Sequence, residues 1–167
     1  MRLYFFNVMY MHGIHNGIQA LHSAMEIEDQ YPADTAAGQA FRDWRRNHKT
    51  VIVTNAGYEQ NLHTIHALLH ELAEAWEPTD NVNGLAIAKF HESKEALNGA
   101  LTSVAVVVPP SCYAEAGDKA ARLRQRALFQ KANDLDLSRQ DAAELNDGTF
   151  TVHERLELLC SAFPLAS

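Results

Sequence analysis

Gly13-Ile14-His15-Asn16-Gly17-Ile18-Gln19-Ala20-Leu21-His22-Ser23-Ala24 joins an aromatic-rich apolar run at residues 3–9 to an amphipathic pattern. Its two glycines permit a tight turn through backbone conformations that other residues avoid. Beyond Gly17, apolar side chains recur at Ile18, Leu21, Met25 and Ile27, roughly the spacing of one helix face. The stretch therefore reads as strand, turn and helix, and the chemistry is expected at the turn. A helix that begins just past a glycine turn leaves backbone N–H groups unpaired above the strand end, which suits a phosphate or a developing oxyanion. Gln19 and His22, three residues apart, are neighbours on that helix: an amide able to hold a water and an imidazole able to titrate near neutrality. A capping or packing glutamine beside a half-buried histidine fits the same residue types.

Working outward, residues 3–9 (Leu-Tyr-Phe-Phe-Asn-Val-Met) fit a central strand covered on both faces. The first helix spans about residues 17–29 and stops before Tyr31-Pro32, because proline pushes its predecessor out of helical conformation. Asp34 or Thr35 can cap a second helix over about 35–47, with Ala36, Ala37, Ala40, Phe41 and Trp44 inward. Its outward Arg42, Arg45 and Arg46, with His48 and Lys49, form a first basic cluster, either a solvated helix end or a set of phosphate contacts. Residues 50–54 are β-branched throughout and read as a buried strand closed by the turn Asn55-Ala56-Gly57. Ligands of open α/β sheets sit at strand carboxyl ends, so this turn and the loop after Met9 are expected to line one crevice.

Leu62, Ile65, Leu69, Leu72 and Trp76 alternate in steps of three and four and predict a helix over 62–75. Beside that stripe lie His63, His66 and His70. Two imidazoles at i and i+4 can chelate zinc, but no Glu follows His66 and no third ligand is visible, so the stripe reads as packing at the core edge and neither a metal nor another cofactor is expected. Residues 84–90 can form a third strand, with His91, Glu92, Lys94 and Glu95 at its end. Asn98-Gly99 signals a turn, residues 101–108 a fourth strand, and Pro109-Pro110 its stop. The predicted fold is α/β: a three-layer α/β/α sandwich on a small four-stranded mixed sheet, with a helical C-terminal extension.

At 167 residues the chain is about one domain, long enough to bury roughly 70% of its unfolded surface. Its 47% apolar and 21% charged content is ordinary for a globular protein and argues against disorder or a membrane span. Residues 3–10 are too short for a signal peptide and lack its basic run and cleavage site, so a cytoplasmic location is expected. Cys112 and Cys160 are far apart with no C-x-x-C spacing, which argues against a disulfide framework or a cysteine zinc site and for buried, reduced thiols. A formal charge of −7 disfavours broad nucleic-acid binding, so any RNA partner must be met by a local basic patch. Pairing of two copies as a homodimer is left open. Past Tyr113 the composition shifts: residues 114–132 form a charged helical stretch with Arg122, Arg124, Arg126 and Lys131. Ser138 and Thr151 read as N-caps of short helices over about 139–146 and 152–161, the second with a capping box, Thr151-Val152-His153-Glu154.

Gln19-Ala20-Leu21-His22-Ser23-Ala24, after a strand and a glycine turn, resembles the Gln-x-x-His-Ala signature that opens the first helix of the type II peptidyl-tRNA hydrolase family. Phe41-Arg42-Asp43-Trp44, the strand at 50–54, the helix at 62–75 and the proline-stopped strand at 101–109 follow in that family's order, so the resemblance covers about residues 1–115, with residues 116–167 as a helical extension packed on the same domain. It implies hydrolysis of the ester between a peptide or N-blocked amino acid and the terminal ribose of tRNA. By the same resemblance, Gln19 orients the water or the ester carbonyl, His22 supports the helix or carries a proton, and Thr102 matches a hydroxyl near the active site. Two positions depart from the pattern. His15 stands where the family has a lysine, four residues before the glutamine. His91-Glu92-Ser93-Lys94-Glu95 stands where the family has an Asp-Ala-Gly-Arg-Thr-like segment, so Glu92 becomes the candidate carboxylate and Lys94 the candidate cation.

The expected catalytic set is thus His15, Gln19, His22, Glu92 and Thr102. Asn16, Gly17, His91, Lys94, Arg42, Arg45 and Arg46 are the expected substrate contacts. Acyl transfer to water needs a group to deprotonate the water, donors for the oxyanion and cations for the tRNA backbone. The alternative is a catalytically inactive protein on the same fold that binds RNA or a nucleotide, or docks a partner through its helical tail.

Overall fold

The computed structural model describes residues 1–76, 84–112 and 151–166; the helices expected over 114–132 and 139–146 lie outside them. Four strands, β1 (Arg2–Asn7), β2 (Thr50–Asn55), β3 (Ile87–His91) and β4 (Leu101–Val108), form one mixed sheet in the order β2-β1-β4-β3. β1 runs parallel to β2 and antiparallel to β4, which is antiparallel to β3. β1, β2 and β3 therefore point the same way, and their carboxyl ends meet the amino end of β4 at one rim of the sheet.

Side-chain alternation gives the sheet two apolar faces. Leu3 and Phe5 of β1, Ala105 and Val107 of β4, and Ala86 and Ala88 beside and within β3 face α1 (Ile14–Gln30) and α2 (Ala36–Asp43), which contribute Ala20, Ile27, Ala37, Ala40 and Phe41. The alanines on both sides of this interface permit a close helix–sheet approach. Phe6 and Val8, with Val104, Val106 and Val108 of β4, face α3 (Glu59–Glu74), which supplies Leu62, Ile65, Leu69 and Leu72. Leu156, Leu159 and Phe163, in and just after the terminal helix, enter the same core, and Phe163 packs edge-on to Phe6. The α/β/α sandwich and the helical C-terminal segment are both present.

Local chemistry sets the element boundaries. α1 begins three residues earlier than the pattern suggests, with Gly13 as its N-cap at φ 52°, and ends as expected at Tyr31, ahead of Pro32. Its burial departs from the apolar periodicity: Ile18, Leu21 and Met25 are exposed, and the face on the sheet is Asn16, Gln19, Ala20, Ser23 and Ile27. Thr35 caps α2, its hydroxyl accepting from Gly38 N. After Asp43 the chain takes one wider turn over Trp44–His48, closed by Lys49 N donating to Trp44 O, and Lys49 ends it in the left-handed conformation at φ 57°. Between β3 and β4 lies a short α4 (Lys94–Leu97), capped by Ser93 and ended by left-handed Asn98. The terminal helix, α5 (Val152–Ser161), carries the expected capping box, with Thr151 Oγ1 accepting from Glu154 N and the Glu154 carboxylate accepting from Thr151 N. No described helix is long and apolar enough to cross a membrane.

Candidate active site

β1 ends in Asn7, a fully buried amide whose Nδ2 donates to Asn16 O at 2.9 Å and to Asn16 Oδ1 at 3.2 Å. Asn16 Nδ2 in turn donates to Met11 O at 2.8 Å. These two side chains fold the Met9–Gly13 turn back over the end of β1 and fix where α1 begins, so Asn16 acts on the turn. Met9 N donates to Gly57 O at 2.7 Å and Ala56 N to Asn7 O at 2.8 Å, which ties the loop after β1 to the loop after β2 along the same rim. Tyr10 and Tyr58 stand exposed there. Partial burial, with the Glu59 carboxylate second, raises the Tyr10 phenol above its ordinary value and keeps it neutral.

Gln19 lies on the buried face of α1 and is 3% exposed. Its Oε1 accepts from Thr102 Oγ1 at 2.5 Å and its Nε2 donates to Glu92 Oε1 at 2.7 Å. Three segments that are 73 and 83 residues apart thus converge on one amide. A flipped amide would set its carbonyl oxygen against the Glu92 carboxylate, so the contact with Glu92 fixes the orientation. Glu92 is half-buried, and its Oε2 has no partner among the described residues.

Thr102 reaches α1 because the strand is irregular. The β3–β4 register shifts between Phe90 and His91, which pair with Ser103 and Leu101, so Thr102 is the extra residue of a bulge. Leu101 packs into the α3-side core with Val104, and Thr102 turns to Gln19 on the other face. A bulge re-aims one side chain in this way without breaking the rest of the ladder. Ser103 follows on the α1 side, where Asn7 Oδ1, Ser23 Oγ and Ser103 Oγ are buried with no partner among the described residues.

His22, one turn beyond Gln19, stacks on Phe90 with ring centroids 4.4 Å apart and planes at 14°. That contact packs α1 against β3. His91 Nδ1 lies 3.1 Å from Gly99 O. Lys94 is exposed at the start of α4, two residues beyond Glu92. His15 and Gly17 are exposed on the first turn of α1, and a Cβ added at Gly17 would meet nothing within 4 Å, so the backbone is open to approach there. No side chain caps this end of the helix.

The first basic cluster is elsewhere. Arg42 Nη1 donates to Gly38 O at 3.2 Å and sits near Tyr31 O, Arg45 is ion-paired to Glu28, and Arg46 is exposed. Glu28 lies nine residues along α1 from Gln19, about 13 Å at 1.5 Å per residue, beside the amino ends of the parallel strands. Gln19, Glu92 and Thr102 are brought together, with His22 beside them and Lys94 exposed near the rim; His91 instead faces α3, its ring 6.4 Å from that of His63, and Arg42 and Arg45 lie away from the site.

Two contributors carry no mark in the sequence. Glu59, in the first turn of α3, accepts from Leu101 N at 2.8 Å and so anchors the residue before the bulge. Phe90 is the platform for His22. An acid in a first helical turn was visible, but its partner 42 residues away was not.

The chain matches no protein-family model and no curated protein.

Proposed function

We propose that this protein hydrolyses the ester joining a peptide or N-blocked amino acid to tRNA, with Glu92 as the base and Gln19 as the group that orients it. The observation that carries this reading is the Gln19 amide held between Thr102 and Glu92. One Glu92 oxygen is engaged by Gln19, and the other is left for a water molecule that the half-exposed carboxylate can reach. Glu92 takes a proton from that water as it attacks the ester carbonyl and returns the proton to the departing ribose oxygen. With Gln19 Oε1 committed to Thr102, the second Nε2 proton is available to the developing oxyanion. No side chain caps the start of α1, where His15 N and Asn16 N donate to His12 O and Gly13 O, so what this end offers a nearby phosphate is the positive end of the helix dipole. Lys94 supplies a cation at the rim, and the −7 total confines tRNA contact to such local positions.

The test is peptide release from a purified N-acetyl-aminoacyl-tRNA by wild type, Gln19→Ala and Glu92→Gln. Each variant is expected to lose at least ~100-fold in kcat/KM, about 2.7 kcal/mol of transition-state stabilisation. Thr102→Val, which frees the amide to rotate, is expected to fall between them and wild type. A wild-type protein that releases no peptide would sink the hydrolase reading. If that inactive protein still binds tRNA, the fold serves binding alone.

A further inference from the structure

Away from the Gln19–Glu92–Thr102 cluster, one face of α3 carries His63, His66 and His70 towards the edge strand β3, whose Lys89 and His91 alternate on the same side as the core residue Ile87. His63 and His91 have ring centroids 6.4 Å apart, and His63 Nε2 lies 3.7 Å from Glu59. His66 and His70 are closer still, with ring centroids 4.4 Å apart and Nε2 atoms separated by 3.1 Å.

That separation has a specific geometry. An ion 2.0–2.1 Å from each nitrogen, the ordinary zinc–imidazole distance, would subtend an N–metal–N angle of about 100°, between the octahedral and tetrahedral values. One turn of helix already holds both rings, so chelation needs no backbone movement. We propose that His66 and His70 form a chelating site for a divalent transition cation of the zinc, nickel or copper class. Imidazole is a ligand these ions accept, whereas magnesium and calcium prefer oxygen. Among the described residues no group of three or more side chains is placed to hold an ion, so the protein supplies two ligands and water completes the shell. The site is therefore open and exchangeable.

The protonation states suit this role. Burial first, then His70, Lys89, His63 and His91, push His66 down to about 4. Its ring is neutral at pH 7, and in the metal-free protein one of the two facing Nε2 atoms donates to the other, the tautomers setting which. Binding an ion requires both Nε2 lone pairs, so the proton between the rings moves to an Nδ1. The charges facing the pair are His63, His91 and the Lys89 ammonium, and Lys89 opposes a divalent ion.

The experiment is calorimetric titration of the full chain with ZnCl2 and, separately, NiCl2 at pH 7.5, for wild type, His70→Gln, His66→Gln and Lys89→Gln. Wild type is expected to bind one ion at this site, and each histidine variant to lose at least about tenfold in affinity. Lys89→Gln is expected to bind about twofold more tightly or better. His70 is exposed, so its variant tests the site even if His66→Gln fails to fold. Absence of binding to wild type, or unchanged affinity in His70→Gln, overturns the proposal. A Lys89→Gln protein that binds more weakly places the ion elsewhere and also overturns it. The readout does not involve the esterase reaction.

Discussion

Gly38 shows how little room α2 leaves at its start. A Cβ there would come within 2.1 Å of Pro32 O and 2.9 Å of both Arg42 Nη1 and Thr35 Oγ1. The arginine and threonine ends can move, but the carbonyl belongs to the turn that links α1 to α2. Gly38→Ala should therefore cost stability at or above the upper end of the ~1–3 kcal/mol typical of overpacking, read as a lowered midpoint in urea denaturation. Arg42 crosses this turn, so the variant also disturbs the one guanidinium of the basic cluster that bonds backbone carbonyls. Thr102 makes a different point at the same scale. Its residue type was legible as a hydroxyl near the start of a strand, but the bulge that aims it at Gln19 arises from pairing between two strands and leaves no trace in either alone.

At the scale of the element, α1 separates what apolar spacing can reveal from what it cannot. Ile18, Leu21 and Met25 lie on one face, as their spacing says, but it is the exposed one: Leu21 is 60% and Met25 56% exposed, whereas Ile27 is fully buried. The sheet beneath presents alanines and the polar end of β1, so the buried face of α1 is drawn from small and hydrogen-bonding residues. Leu21→Ser and Met25→Ser should each change stability by less than about 0.5 kcal/mol, and Ile27→Ala should cost about 2–5 kcal/mol. Equal losses at all three would show that Leu21 and Met25 are packed in the folded protein. By contrast, the periodicity of α3 and the capping box of α5 were legible, because packing there agrees with local pattern. β2 forms the expected strand but not a buried one: it lies at the sheet edge with Thr50 and Val51 exposed and only Thr54 buried, since β-branching favours a strand without fixing its place in the sheet. At the candidate site, Gln19, Glu92 and Thr102, which the fold brings together, were singled out through the family resemblance, and Glu59 and Phe90 were not, since each acts through a partner distant in sequence or in another layer.

The whole molecule rests on two separate apolar layers, and the α3 layer carries a titratable edge. His66 resists protonation down to about pH 4, while in the unfolded chain it takes a proton near 6.5. Its neutral form therefore contributes stability that is fully present above pH 6.5 and is lost as pH falls from there towards 4. The ring is partly solvated, which moderates the effect. Thermal unfolding midpoints should drop through that window, and His66→Gln should flatten the drop. An identical pH profile in the variant would mean that another group controls it.

The carboxyl half of the outer edge of β2 is covered by the far end of the described chain: Asn55 N donates to Pro164 O, Ala166 N to Val53 O, and Leu165 bridges Thr54. The segment that completes the edge follows β2 by roughly a hundred residues. At about 5–20 residues per second, the ribosome makes β2 on the order of 5–20 s before the segment that covers it. During that interval the whole β-branched edge stands open to strands from neighbouring nascent chains, a hazard of synthesis that the finished fold confines to the exposed end at Thr50 and Val51.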